Sequence, residues 1–143
     1  MNIKLFELKK IQTNFVKQKI TSSKQSYDFI KQFYSDDLEI FESVFILMLN
    51  RANETIGYSK ISQGGICGTI IDVKILAKYV IDSLASSVIL AHNHPSGNLQ
   101  PSNADINITN KVKDILKLLD SNLLDHIILT KESYYSFQDE QKL

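Results

Sequence analysis

The sequence predicts an α/β sandwich, a mixed β-sheet with helices packed on it. Three observations predict it. Two short, wholly apolar runs, residues 44–49 and the "VILA" of "SSVILA" (residues 86–91), have the length and uniformity of strands buried on both faces. Two longer segments carry their apolar residues at helical spacing. The order is helix, strand and helix in alternation after an antiparallel start.

In chain order, "NIKLFEL" (2–8) and "FVKQKI" (15–20) are short and partly alternating, and are expected as weak strands or extended chain. Ser22 or Ser23 can cap a helix running to about Tyr34, with Tyr27, Ile30 and Tyr34 on its apolar side. "FESVFILMLN" then supplies the first buried strand and "ETIGYSKIS" (54–62) the next, with the turn in "NRANE" between them. The three glycines of "QGGICGT", Gly64, Gly65 and Gly68, suit a tight or bulged connection. "DVKILAKYVIDSLA" places Val73, Leu76, Ala77, Val80, Ile81 and Leu84 on one helical face, with Asp72 near its start. "SSVILA" follows as a short buried strand that leads directly to His92. A second long helix is expected over residues 102–119, with Ala104, Ile108, Val112, Ile115 and Leu119 on its stripe, and "DHIILTK" and "YYSF" close the chain as strands.

The 143 residues fit one domain, a size at which roughly 68–70% of the unfolded surface is buried. Sixteen basic and sixteen acidic side chains cancel, so total charge points to no polyanion partner. The exception is local: residues 1–31 hold seven lysines against Glu7 and Asp28, a balance of +5. Residues 1–21 are read as an extended, lysine-bearing lead-in with a solvated face, and residues 22–143 as the folded domain. Cys67 is the only cysteine, which rules out an internal disulfide and any site built on two thiolates. It is read as a small buried residue. No secretory h-region and no run of 18 apolar residues is present, so a cytoplasmic protein without membrane partners is expected.

The chemistry lies in "ILAHNHPSGNLQPSNADI" (89–106). In an extended segment residues i and i+2 project to one side, so His92 and His94 aim at one point while Asn93 points away. Pro95, Ser96 and Gly97 turn the chain sharply, and Asp105 arrives in the first turn of the following helix, where it can fold back towards the pair. Two neutral imidazoles and a carboxylate make three ligands for a zinc ion and leave a fourth position for water, the pattern of a catalytic site. Ligand chemistry does not exclude iron or manganese; zinc fits best. Ser102 and Asp105 also form a capping-box pattern, and the two roles are compatible. A hydrolytic centre further needs a proton carrier. Of the many acids, Glu42 is the most suggestive, because it opens the buried strand. There is no HExxH, and the deaminase pattern needs a CxxC that one cysteine cannot supply.

Together with "FESVFILMLN", "LLDHIIL" and "YYSF", the segment "HNHPSGNLQPSNADI" resembles the RadC-like proteins, a bacterial branch of the JAMM (MPN, JAB) metallopeptidases, over residues 22–143. The family pattern is Glu, HxH, seven residues, Ser, two residues, Asp, and each element is present. The resemblance implies that His92, His94 and Asp105 hold one zinc ion, that Glu42 is the general acid/base with Glu39 as the fallback, and that Ser102 stabilises the oxyanion. It also implies a curved mixed sheet flanked by helices, akin to cytidine deaminases, and a peptide or protein amide as substrate. His126 matches a family-typical position and is read as structural, hydrogen-bonding near the sheet edge. Longer RadC proteins carry a helix-hairpin-helix region associated with DNA, for which residues 1–31 are too short and too poor in glycine. The second expectation is a DNA-associated accessory protein of repair or mobile elements that contacts phosphates through its lysine-rich arm and uses its metal site structurally or not at all, rather than for proteolysis. Oligomeric state is not specified.

Overall fold

A computed structural model describes residues 1–7, 9–64 and 71–143 of the chain. Cys67, Gly65 and Gly68 lie outside the described residues. Among the described residues, five strands form one mixed sheet: β1 (Ser43–Leu49), β2 (Thr55–Gln63), β3 (Ser87–Asn93), β4 (Asn122–Leu129) and β5 (Tyr134–Ser136), in the order β2-β1-β3-β4-β5. β1 pairs antiparallel with both β2 and β3, and β4 with β5, whereas β3 and β4 run parallel. A parallel pair needs a long crossover, and the helix α3 (Asn103–Leu118) supplies it between β3 and β4.

All seven residues of β1 and of β3 are buried, as their apolar runs predict. Burial on both faces requires cover on both. On one face, Val44, Ile46, Val88 and Leu90 pack under Leu76 and Val80 of α2 (Val73–Ser83) and under Val112 and Leu116 of α3. On the other, Leu47, Ile89, Ile127 and Leu129 pack under Tyr27 and Ile30 of α1 (Ser23–Lys31), joined by Leu38 from a 3-10 turn at Asp36–Glu39. The α/β sandwich is confirmed, with α1 on one side and α2 and α3 on the other.

Three local expectations are corrected. Ser22 caps α1, accepting from Gln25 N, but the helix ends at Lys31 and not at Tyr34. Sheet contacts win there: Phe33 stacks on Tyr58 at 4.0 Å, and the Tyr34 hydroxyl donates to Ser43 O. Of the two alternatives left open for segments 2–8 and 15–20, weak strand or extended chain, no strand forms among the described residues. One bridge, Lys19 with Glu54, is made, and Phe15 is the first side chain anchored, against Phe33 and Tyr58. In α2, Leu76 and Val80 are buried, but Ile81 is 53% exposed and Leu84 83% exposed. Leu84 lies beyond the helix as its left-handed C-cap at φ 52°, which turns it out of the stripe. In α3, the buried line is Thr109, Val112 and Leu116, with Ala104 exposed. The face is rotated because a polar Thr109 meets a polar partner inside, described below.

Among the described residues, no helix is long and apolar enough to cross a membrane. Residues 1–7 and 9–14 are fully exposed.

Candidate metal centre

The register of the sheet builds the site. Val44 pairs with His92 in the antiparallel β1–β3 ladder, so continuing that register brings Glu42 alongside His94. Period-2 alternation sends His92 to the α2/α3 face and Asn93 to the α1 face. Asn93 is wholly buried and holds three backbone groups: it donates to Leu38 O at 2.6 Å and Phe41 O at 2.7 Å, and accepts from Ser43 N at 2.7 Å. The residues on either side of Glu42 are thereby tied down. Gly64 N also donates to the Glu42 carbonyl at 2.8 Å. Replacing Asn93 by Ala strands these groups and should cost about 2–4 kcal/mol of folding free energy, read by urea denaturation. A loss within error of zero would remove the clamp.

Past the strand, His94 N donates to Leu129 O, and the chain turns at Gly97, whose φ of +83° favours glycine. That turn brings Asn98 O to 2.6 Å from His94 Nδ1. A carbonyl only accepts, so Nδ1 carries the hydrogen, and in the neutral ring Nε2 is left with a lone pair. The second helix-start device is also built as its sequence suggests. Ser102 Oγ accepts from Asp105 N at 3.0 Å, and Asp105 Oδ2 accepts from Ser102 N at 2.7 Å, a full capping box. The cap uses a lone pair of Ser102 Oγ and leaves its O–H free to donate elsewhere.

Glu42, His92, His94 and Asp105 converge, with one ligand atom from each lying within 4.8 Å of the others, a group that could hold a metal ion. Three of them stand in mutual contact. His92 Nε2 is 3.0 Å from His94 Nε2 and 3.2 Å from Asp105 Oδ1, and His94 Nε2 is 3.3 Å from the other carboxylate oxygen, Asp105 Oδ2. Tetrahedral bonds of about 2.0–2.1 Å put neighbouring ligands about 3.3 Å apart, so the spacings within this triangle of residues are close to those between neighbouring ligands of a zinc ion. The fourth group stands back. Glu42 Oε1 lies 3.6 Å from His92 Nε2 and 4.0 Å from His94 Nε2. Glu39, the fallback acid, is on the surface and faces Lys131 at 3.5 Å.

Electrostatics separates the two carboxylates. Burial raises the Glu42 carboxyl above its ordinary value, nearby Asp105 adds to the rise, and the two imidazoles only partly oppose it. Asp105 is also penalised by burial, but hydrogen bonds with His92, His94 and the Ser102 N–H outweigh that and hold it well below the usual carboxylate range. Burial pulls His94 down, and its bonds to Asp105 and the Asn98 carbonyl overcome this, leaving it raised. One acid is kept ionised beside the imidazoles, while burial raises the carboxyl of the other.

His126 is placed differently from its expected role at a sheet edge. It is fully buried on β4, with its ring against His92 and stacked on Phe137 at 4.6 Å. Its neighbour Asp125 faces the other way and accepts from His126 N, Gln138 N and the Ser136 hydroxyl, which ties β4 to β5. Sequence reasoning missed Asn93 and Thr109 as parts of the site's frame.

An α/β domain with an acid and a His-x-His–Asp triangle gathered at one end of its sheet belongs to a recognisable class, the JAB-type domains. The family profile of the RadC-like JAB domain matches residues 20–143, and the chain belongs to that family. Among similar proteins, a UPF0758 protein of Flavobacterium johnsoniae is 43% identical over 123 residues, covering 86% of this chain and 53% of its own. UPF0758 proteins of Porphyromonas gingivalis (38% over 125 residues; 87% and 54% covered) and Chlorobaculum parvum (33% over 128 residues; 90% and 57% covered) are also similar. The chain thus spans about half the length of the curated relatives it matches, and their names state no activity.

Proposed function

We propose that this domain is a zinc-dependent hydrolase of the JAMM type that cleaves a peptide or isopeptide amide. The observation that carries the proposal is the triangle of His92, His94 and Asp105, sized for one small cation, with a separate and partly desolvated Glu42 just outside it. When bound, zinc would supply Lewis acidity at the scissile carbonyl and an acidified water.

The chain's own groups supply the rest. Asp105, anchored by the Ser102 N–H, would offset the cation's charge. His94 presents Nε2 because Asn98 O occupies its Nδ1 hydrogen. Glu42, raised by burial, takes a proton from the attacking water and passes it to the leaving amine. Ser102, anchored by the capping box, donates its hydroxyl hydrogen to the oxygen that becomes negative. Zinc fits this N₂O donor set, and the RadC-like family match supports the same chemistry.

Purified protein is expected to carry about one zinc per chain. Chelation should abolish hydrolysis across a panel of peptide- and isopeptide-linked fluorogenic amides, and zinc should restore it. Undiminished hydrolysis by metal-free protein sinks the metal's role, and a zinc-loaded protein inert towards the whole panel removes the amide hydrolase.

A further inference from the structure

Behind the triangle two buried groups, Thr109 and His126, link Asp105 to His92 in a hydrogen-bonded chain with a defined direction. Thr109 Oγ1 is 2.7 Å from Asp105 O and 2.6 Å from His126 Nδ1. His126 Nε2 is in turn 2.7 Å from His92 Nδ1. A carbonyl oxygen has no hydrogen to give, so the one between Thr109 and Asp105 is the threonine's. The Thr109 oxygen must then accept from His126, which puts a hydrogen on His126 Nδ1. In the neutral ring of a wholly buried histidine, Nε2 is the acceptor, and the hydrogen between the two rings belongs to His92 Nδ1. The consequence for His92 is that Nε2, the atom facing His94 and Asp105, is the nitrogen free to ligate.

We infer that His126 and Thr109 are positioning residues that hold His92 in the single tautomer able to bind a metal through Nε2. The inference rests on reading His92 as a ligand, as above. His94 is directed from the loop by Asn98 O, whereas His92 lies inside the sheet and is directed from the next strand and from α3. The second nitrogen of a ligating histidine commonly donates its hydrogen to a carboxylate or carbonyl. Here a second imidazole, itself oriented by a hydroxyl, takes that place. The frame around it is rigid: Phe137 stacks on the His126 ring at an interplanar angle of 10°, and Asp125 accepts from its backbone N–H. The chain ends on the carbonyl of Asp105, so one relay couples two corners of the triangle, His92 through its ring and Asp105 through its backbone.

Two readouts test the inference, and the first needs no metal. Long-range proton–nitrogen correlation spectra of the metal-free protein above pH 8 should show both His126 and His92 protonated on Nδ1. A His126 protonated on Nε2 overturns the relay. The second is zinc affinity by chelator competition. His126→Phe, which keeps the stack on Phe137 but has no acceptor, should weaken zinc about 10–100-fold. His126→Gln, which can return an amide oxygen to the place of Nε2, should stay within a few-fold of wild type. His126→Phe binding zinc as tightly as wild type overturns the assignment. Should that variant not fold, Thr109→Val removes the hydroxyl without touching either ring, and His126 should then lose its single tautomer and zinc should weaken several-fold; unchanged spectra and affinity count against the relay. If wild type binds no zinc, the hydrolase reading fails separately, while the metal-free spectra still decide the direction of the chain.

Discussion

Glu42→Gln is expected to keep its zinc and lose turnover by about 10²–10⁴-fold, the range over which positioned acid–base groups act. The substitution preserves shape and removes only the capacity to take a proton. Retention of metal follows from geometry: Glu42 Oε1 stands 3.6 and 4.0 Å from the two Nε2 atoms, outside a triangle whose sides are 3.0–3.3 Å. Its main chain is also held independently of its carboxylate, through Asn93 on both flanks and through Gly64. A pH profile separates this role from a structural one. A base works only when deprotonated, and burial raises the Glu42 carboxyl above its ordinary value. Wild-type kcat/KM should therefore show an acid limb, and the residual rate of the variant should lack it. Loss of zinc in Glu42→Gln would move this residue into the ligand set and leave the proton carrier unassigned.

The parts of this site legible in the sequence are those set by short-range geometry. His92 and His94 share a face because a strand alternates, and Asp105 turns back because Ser102 and Asp105 close a helix start. Glu42 is of a different kind. Its place depends on the pairing of Val44 with His92 across an antiparallel ladder, which no local pattern states; its position at the head of the buried strand made it the most suggestive acid, and the family resemblance supplied the role. His126 and Thr109 were beyond reach for the same reason made stronger. The parallel register that sets His126 beside Leu90 depends on which strands are neighbours. Thr109 meets it only because α3 presents a polar residue to the core, which shifts the helix's buried line away from the stripe of its apolar residues. Hydropathy patterns find apolar cores and misplace faces whose centre is a satisfied polar contact. The two buried strands had no such ambiguity, since every residue of each is covered. At the N-terminus, partial alternation in "NIKLFEL" left weak strand and extended chain both open; among the described residues no strand pairs with it, and alternation without a partner edge does not make one.

Replacing His94 by Ala should empty the site, with zinc affinity falling by more than the roughly 100-fold that marks loss of a ligand's hydrogen-bond partner, and the pH dependence of the two forms should identify the cause. In the metal-free protein the bonds to Asp105 and Asn98 O raise His94 above its ordinary value of 6.5 despite burial. A raised basic group contributes stability that is present in full below 6.5 and is lost as pH rises through the folded value. The metal-free wild type should accordingly be more stable than His94→Ala at pH 6, and that gap should narrow by pH 8. Asp105 does not interfere in this window, because a depressed carboxylate loses its contribution only as pH falls below about 3.9. Zinc reverses the trend. The ion competes with protons for His94 Nε2, so wild-type affinity should rise by about tenfold per pH unit for each histidine that must give up a proton, and level off once His94 is neutral. Competition titrations at pH 6, 7 and 8 alongside thermal melts in chelator measure both trends. If His94→Ala holds zinc as tightly as wild type, the His92–His94–Asp105 triangle is not the metal site and the hydrolase reading has lost its support.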